Sequence, residues 1–431
     1  MEQATISNLK QKNRREPLGF VYFGLVLFMF VYFARPQDWI PGLGAVPLAK
    51  ITGILIFVAL VFSFHDIRWR MPQEIIFLAL FIAQLWLTVP FSTVWRFGAY
   101  SMMLSVSRVL PLVIVIYAAV RSMKRFRWIL WVQAASVTVV AIASVAAPRP
   151  SGERLRGVLS GVYGNSNDLA LIIDLTLPIC LALTLTTRSI WKKLAWSVVI
   201  LTMIYAVSLT ASRGGAIALV VAALVCLWQI GVKERRFFLF LLVPIAVIAI
   251  GLYSGKALRE RFDQTNLDPG TGNHYTGASS SAQQRKELLL QSLRITAQHP
   301  LFGVGPGNFP IVSGVWRVTH NSYTQISAEG GIPAFLLYVL FFWRGIANLR
   351  EIRRYRKTEK RVWIFSVALE ASLAAYLVGS FFNSVAYELF PYCLVAYTIA
   401  LRLIVRRKQT VPNTVPQQEP TPAPVEVFVW E

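Results

Sequence analysis

Acidic side chains are scarce in this chain of 431 residues: 21 Asp and Glu stand against 43 Lys and Arg, and charged residues of either sign make up only 15%. So little charge cannot cover the core of a water-soluble protein of this length. Histidine occurs four times (His65, His274, His299, His320), and the three cysteines (Cys180, Cys226, Cys393) all fall inside apolar blocks. No His-x-x-x-His, Cys-x-x-Cys or Asp-x-Asp pairing occurs, so neither a metal site nor a disulfide framework is expected. Also missing are the Gly-x-Ser-x-Gly elbow of a serine hydrolase and the Gly-Lys-Ser/Thr end of a phosphate-binding loop.

What is abundant is apolar surface. Hydrophobic residues make up 55% of the chain, and the mean hydropathy is +0.53. They come in blocks of 17 to 23 residues, enough to cross about 30 Å of hydrocarbon at about 1.5 Å per residue. The blocks predict about twelve helices, near 18–34, 46–64, 74–91, 98–120, 128–147, 167–187, 194–211, 214–232, 237–254, 331–349, 363–383 and 388–405. The first follows Lys10, Lys12, Arg14 and Arg15, as a secretion signal would. Its length and the Phe33-Ala34-Arg35-Pro36 sequence that ends it fit a span better than a cleavage site. The expected fold is all-α and polytopic.

A net charge of +22 raises the question of nucleic acid, but the basic residues sit in short clusters between apolar blocks. On alternate loops they give one side of the membrane 28 of the 43. Short basic loops face the cytoplasm, which puts both termini there and leaves no role for nucleic acid. The expected organisation is a cytoplasmic amino tail (1–17), a membrane domain (18–405) with one long extracytoplasmic loop (255–330) carrying short helices, and a disordered Pro-rich tail (406–431).

Chemistry is therefore expected on the outer face. Residues 255–281 are polar and Gly-rich, and 283–298 reads as an amphipathic helix with Leu289 and Leu293 along its apolar stripe, suited to a membrane surface. His299-Pro300 ends it and a Gly-rich turn follows. A helix beginning at His320 would put that imidazole on one face with Tyr323 or Thr324 and Ser327; it is either a general base or an interfacial histidine. Arg213 lies between two spans with almost no loop, where a guanidinium is costly unless it is paired or snorkels to headgroups. Asn167 or Asp168 would cap the following span. Arg154 and Arg156 precede them, Arg108 and Lys50 lie within or at the ends of spans, and Arg285 and Arg294 flank the amphipathic stripe. Guanidinium groups collected on an outer face suit phosphate or diphosphate.

The motifs Arg156-Gly157, Tyr163-Gly164-Asn165-Ser166-Asn167-Asp168-Leu169-Ala170 and Leu209-Thr210-Ala211-Ser212-Arg213-Gly214-Gly215 occur in that order. His299-Pro300-Leu301-Phe302-Gly303-Val304-Gly305, His320-Asn321-Ser322-Tyr323 and Glu329-Gly330-Gly331 follow. Across about 150–345 this series resembles the O-antigen ligase and polymerase superfamily of bacterial membrane glycosyltransferases. The resemblance implies an inner-membrane enzyme, without cofactor or metal, acting at the periplasmic face. It would move a glycan from undecaprenyl diphosphate to a lipid A–core saccharide, or to a growing lipid-linked glycan in a polymerase. It further implies that Arg213 and Arg156 bind the diphosphate, joined by Arg108 and Arg285, and that His320 is the catalytic base of an inverting displacement. Asn165, Asn167, Asn321 and Glu329 would support the site. A transporter or flippase of similar span number would instead show charges near the bilayer midplane, for which Glu370 and Arg108 are the candidates. A metal-dependent glycosyltransferase would lean on Asp38.

Overall fold

Inside hydrocarbon every backbone N–H and C=O must find its partner within the chain, so the apolar blocks fold as helices. The structure, a computed structural model, describes residues 18–63, 71–92, 94–148, 150, 153–159, 163–232, 278–354 and 359–410. Its helices are α1 Gly19–Ala34, α2 Leu48–Phe62, α3 Gln73–Thr88, α4 Arg96–Val106, α5 Val109–Ala119, α6 Met123–Ala146, α7 Ser166–Thr186, α8 Ile190–Leu209 and α9 Arg213–Cys226, which runs on as a π-turn to Val232. After the undescribed stretch come α10 Ala278–Gln298, α11 Phe309–Val312, α12 Ser322–Arg354, α13 Lys360–Gly379 and α14 Phe390–Thr410. No strand occurs among the described residues.

The expected blocks become helices with three differences. The block at 98–120 is broken at Ser107 and Arg108 into α4 and α5, and the indole of Trp86 donates to the Ser107 hydroxyl at 2.9 Å across the break. α14 continues to Thr410, so the expected tail boundary at 406 falls inside a helix. The block at 237–254, the amino tail 1–17, residues 255–277 and the tail beyond 410 lie outside the described residues. Among the described residues, seven segments are long and apolar enough to cross a membrane, with α1, α2 and α3 as shorter apolar helices. The expected figure of about twelve is not established by that number.

α7 and α13 are the innermost helices, packed on each other and on α9. Small residues make this approach possible. A Cβ on Gly214 would lie 2.6 Å from that of Phe382, and one on Gly215 would lie 2.7 Å from that of Ala170. α12 packs on α3, α13 and α14. It is two helices joined at Gly331, whose φ of 80° a side chain would strain. A Cβ there would also sit 2.4 Å from the Leu301 carbonyl oxygen.

Hydrogen bonds sort the helix ends into two groups. At the end carrying the basic clusters, Glu74 is fully buried and faces Arg402 at 3.4 Å and Arg344 at 3.6 Å. Arg402 also donates to Asn348 at 2.5 Å, and Arg406 to Glu351 at 2.6 Å. The same end holds Arg353 against Glu370. At the opposite end the segments leading into α7 and α12 bond to the turns after α8 and α13, as described below. Removing one partner of a buried ion pair strands the other charge. Arg402→Met is therefore expected to cost about 3 kcal/mol. Thermal unfolding of the solubilised protein should show most of that loss recovered in the Glu74→Gln/Arg402→Met double variant.

Candidate active site

The site is built first around the start of α9. The Ser212 hydroxyl caps this helix by accepting from the Gly215 N–H at 3.1 Å, and it donates to Asn167 Oδ1 at 2.9 Å. Arg154 Nη2 donates to the same Asn167 oxygen at 2.9 Å, and Arg154 Nε to the Thr210 carbonyl at 2.8 Å. The α7 cap is Asn165, which accepts from the Asn167 N–H at 2.9 Å, in place of the expected Asn167 or Asp168. Asn165, Asn167 and Arg154 thus tie the loop before α7 to the α8–α9 turn. They fix Arg213 as the first, half-buried residue of α9. Arg156 lies two residues beyond Arg154 and is exposed.

α10 brings the second arginine. Its buried stripe is Leu288, Ser292 and Ile295, whereas Leu289, Leu290 and Leu293 face outward, one residue out of phase with the expected stripe. The reason is tertiary: α10 packs on the first half of α12, with Leu288 and Ile295 against Val304, Phe309 and Ala328 and the Thr296 hydroxyl 2.9 Å from that of Ser327. This register turns Arg285 inward. Its guanidinium is pulled below the usual range by burial first and then by the charge of Arg213, so the two cations stand together. From the adjoining loop Arg317 donates to the Gln284 carboxamide of α10.

His320 completes the group. It precedes the helix rather than opening it, with a left-handed φ of 53°, so the expected shared face with Thr324 and Ser327 does not form. Asn321 is the cap, its Oδ1 accepting from the N–H groups of Tyr323 and Thr324 at 2.9 and 3.2 Å. The turn is anchored by Thr319, which donates to the Asn321 carbonyl at 2.8 Å, and by Ser322, which donates to the Asn383 carbonyl at 2.6 Å. Burial lowers the imidazole pKa below its ordinary 6.5, and the charges of Arg285 and Arg317 lower it further. At neutral pH His320 is therefore a free base within a field of guanidinium groups.

The glycine turn supports this wall without entering it. The N–H groups of Val304 and Gly305 donate to the Ala328 and Glu329 carbonyls at 2.9 and 3.0 Å, and Gln84 of α3 donates to the Leu301 carbonyl at 2.8 Å. The first two of these bonds occupy carbonyls released where α12 breaks. Glu329, expected to support the site, is buried beneath it and accepts from the Phe309 N–H at 3.2 Å. Its role is to hold the turn.

Arg108 stands elsewhere. It lines a cavity with Arg35 and Lys50, and neither Arg213, Arg285 nor His320 borders that space. Asp38 is held by Arg35, 2.6 Å from its Nε. Glu370, the midplane charge that would favour a transporter, is ion-paired with Arg353 at the basic end. Among the described residues no group of three His, Cys, Asp or Glu comes together. Sequence reasoning passed over Arg317 and Ser212 as site residues and gave Arg154 no more than a place among the outer-face cations. The only hint for Arg317 was its charge on a loop whose orientation normally excludes arginine.

No curated protein matches this chain in sequence. The seven long apolar helices and the family match point to a multi-pass inner-membrane protein. Residues 198–339 match the family described as O-antigen ligase, a stretch that includes Arg213, Arg285, His320, Asn321 and Glu329 and leaves out Arg108, Arg156, Asn165 and Asn167. That match, over about a third of the chain, and the all-helical membrane architecture support a likeness to the O-antigen ligase superfamily.

Proposed function

We propose that this protein is a glycosyltransferase that moves a glycan from undecaprenyl diphosphate to a saccharide acceptor at the periplasmic face of the inner membrane. The observation that carries this reading is the linked set Arg213, Arg285, Arg317 and His320, in which the charges of Arg285 and Arg317 act on the imidazole and that of Arg213 acts on Arg285. A diphosphate leaving group needs its growing negative charge neutralised more than it needs a proton, and guanidinium groups held in place before the reaction do this best. Arg213 and Arg285 take that role, and exposed Arg156 reaches the same phosphate from the loop before α7. The acceptor hydroxyl is a poor nucleophile, and His320 removes its proton as the oxygen attacks the anomeric carbon. The bond from that carbon to the diphosphate oxygen breaks with its electron pair, and one displacement inverts the configuration. Neither the donor chemistry nor these residues separate a ligase from a polymerase, because the two differ only in the acceptor.

The deciding experiment is reconstitution with a defined undecaprenyl-diphosphate glycan and competing acceptors, read by mass spectrometry. A lipid A–core product indicates a ligase and a lengthened lipid-linked glycan a polymerase; hydrolysed donor with no transfer product overturns both. His320→Ala should lower turnover by about 10²–10⁴ while the thermal midpoint stays within a few degrees of wild type. Near wild-type turnover would refute the base assignment. Arg213→Gln is expected to cost about 10²–10³ in kcat, read in the same assay.

The pH profile carries its own sign. A depressed imidazole pKa keeps the base free, so activity should persist below pH 6.5 before falling. Arg317→Gln removes one repelling cation, lets His320 hold its proton to higher pH, and should move the acidic limb of kcat/KM upward. An unmoved limb would show that His320 is not the titrating group. Saturating EDTA should leave turnover unchanged.

A further inference from the structure

The cavity that holds Arg108 has a volume of about 850 Å³ and is built from two kinds of wall. Phe28 of α1, Ile54 and Phe57 of α2, and Leu112 and Val115 of α5 make one side apolar. Ile54 and Phe57 are 64% and 51% exposed, so this side opens onto the surface that hydrocarbon covers. At its head stand three cations, Arg35, Lys50 and Arg108, brought from the end of α1, the first turn of α2 and the break between α4 and α5. Arg35 is engaged by Asp38, whereas among the described residues Lys50 and Arg108 have no ion-pair partner. The one acid lining the cavity, Glu388, is pushed up by burial and pulled down by Arg35.

The polar wall supplies an independent sign of a ligand. Gln325 is 8% exposed, and its Oε1 has no hydrogen-bond partner among the described residues. Gln325 lines the cavity. A buried polar atom left unpaired costs about 1–3 kcal/mol, which a bound hydroxyl or phosphate would recover.

We propose that this cavity binds the phosphate headgroup of a second membrane amphiphile, its chain lying along α2 and α5, separately from the diphosphate held by Arg213 and Arg285. The two sites share a partition. Val318 and Gln325 line the cavity, His320 lies between them in the chain, and the charges of Arg285 and Arg317, which do not line the cavity, act on its imidazole. Thr319 is fastened to Ser384, another lining residue, at 2.9 Å. A lipid-anchored acceptor in the cavity would therefore meet His320 across this segment. That role rests on the transferase reading, whereas the binding does not.

The test is native mass spectrometry of the full chain in phosphatidylcholine nanodiscs. The probes are a polyprenyl monophosphate, the matching polyprenol, phosphatidic acid and inorganic diphosphate. We expect the polyprenyl phosphate to bind and the polyprenol to fail. Lys50→Gln/Arg108→Gln should weaken binding at least about ten-fold, the equivalent of 1.4 kcal/mol. Gly53→Leu should block the site sterically without altering charge. Gly53 also lines the cavity, and a Cβ there makes only ordinary contact with Phe28, at 3.6 Å, so the fold should persist. Arg213→Gln/Arg285→Gln should leave binding intact. Preference between the polyprenyl phosphate and phosphatidic acid identifies the lipid source. The proposal is overturned if both cavity variants bind like wild type, if the Arg213/Arg285 variant abolishes binding, or if inorganic diphosphate binds as tightly as the lipid. Binding confirmed in a protein without transfer activity would sink the transferase reading alone.

Discussion

The cost of leaving a charge or a backbone polar group unsatisfied in hydrocarbon shapes this protein more than any other constraint. It makes the apolar blocks helical and drives irregular backbone to one end of the bundle, where loops can bond to each other. The exceptions at the α12 break and at Glu74 have partners close by. The carbonyls exposed where α12 breaks are taken by the 303–305 turn and by Gln84. Glu74, fully enclosed, faces two arginines. Lys50 and Arg108, which have no ion-pair partner among the described residues, line the cavity beside α2 and α5.

The candidate catalytic group is assembled from distant parts of the chain by a few polar joints. Asn167 receives Ser212 and Arg154, and through Ser212 it sets the first turn of α9. Asn321 caps α12 and so places His320 just outside the helix, with the 383–385 loop bonded to Ser322 behind it. α10 closes the group by packing on α12. Arg213 comes from the α8–α9 turn, Arg285 from a surface helix and His320 from a loop, so packing between α9, α10 and α12 determines whether a charge cluster exists at all. A transferase site of this kind acts by electrostatic preorganisation, because charges held in place before the leaving group departs do not have to be gathered during the reaction.

On the proposed reading, the two basic groups divide the labour of handling amphiphilic substrates. Arg285 acts on the His320 imidazole and Arg213 acts on Arg285, whereas Arg35, Lys50 and Arg108 line a separate space with an apolar wall that Val318 and Gln325 border. Two anionic headgroups that repel one another in water can approach a single reacting centre when each has its own cations. The bilayer holds their hydrocarbon chains and limits the search to the surface of the protein.

Much of this was legible in the linear chain. Block length and apolar content determined that helices cross a membrane, because no other structure satisfies the backbone there, and the asymmetry of Lys and Arg pointed to an orientation. Motif order singled out Arg213 and His320. Other features depended on contacts between residues far apart in the chain. The stripe of α10 is set by the partner it packs on, and periodicity alone chose Leu289 and Leu293 where packing buries Leu288 and Ile295. Asn167, Arg154 and Glu329 look alike as polar loop residues, and only their hydrogen bonds show that they position the site. Arg108, grouped by its charge with Arg213, joins Arg35 and Lys50 because a helix break turns it toward α1 and α2. Local pattern records what a side chain prefers to be near, and only the packing of helices decides which neighbours it has.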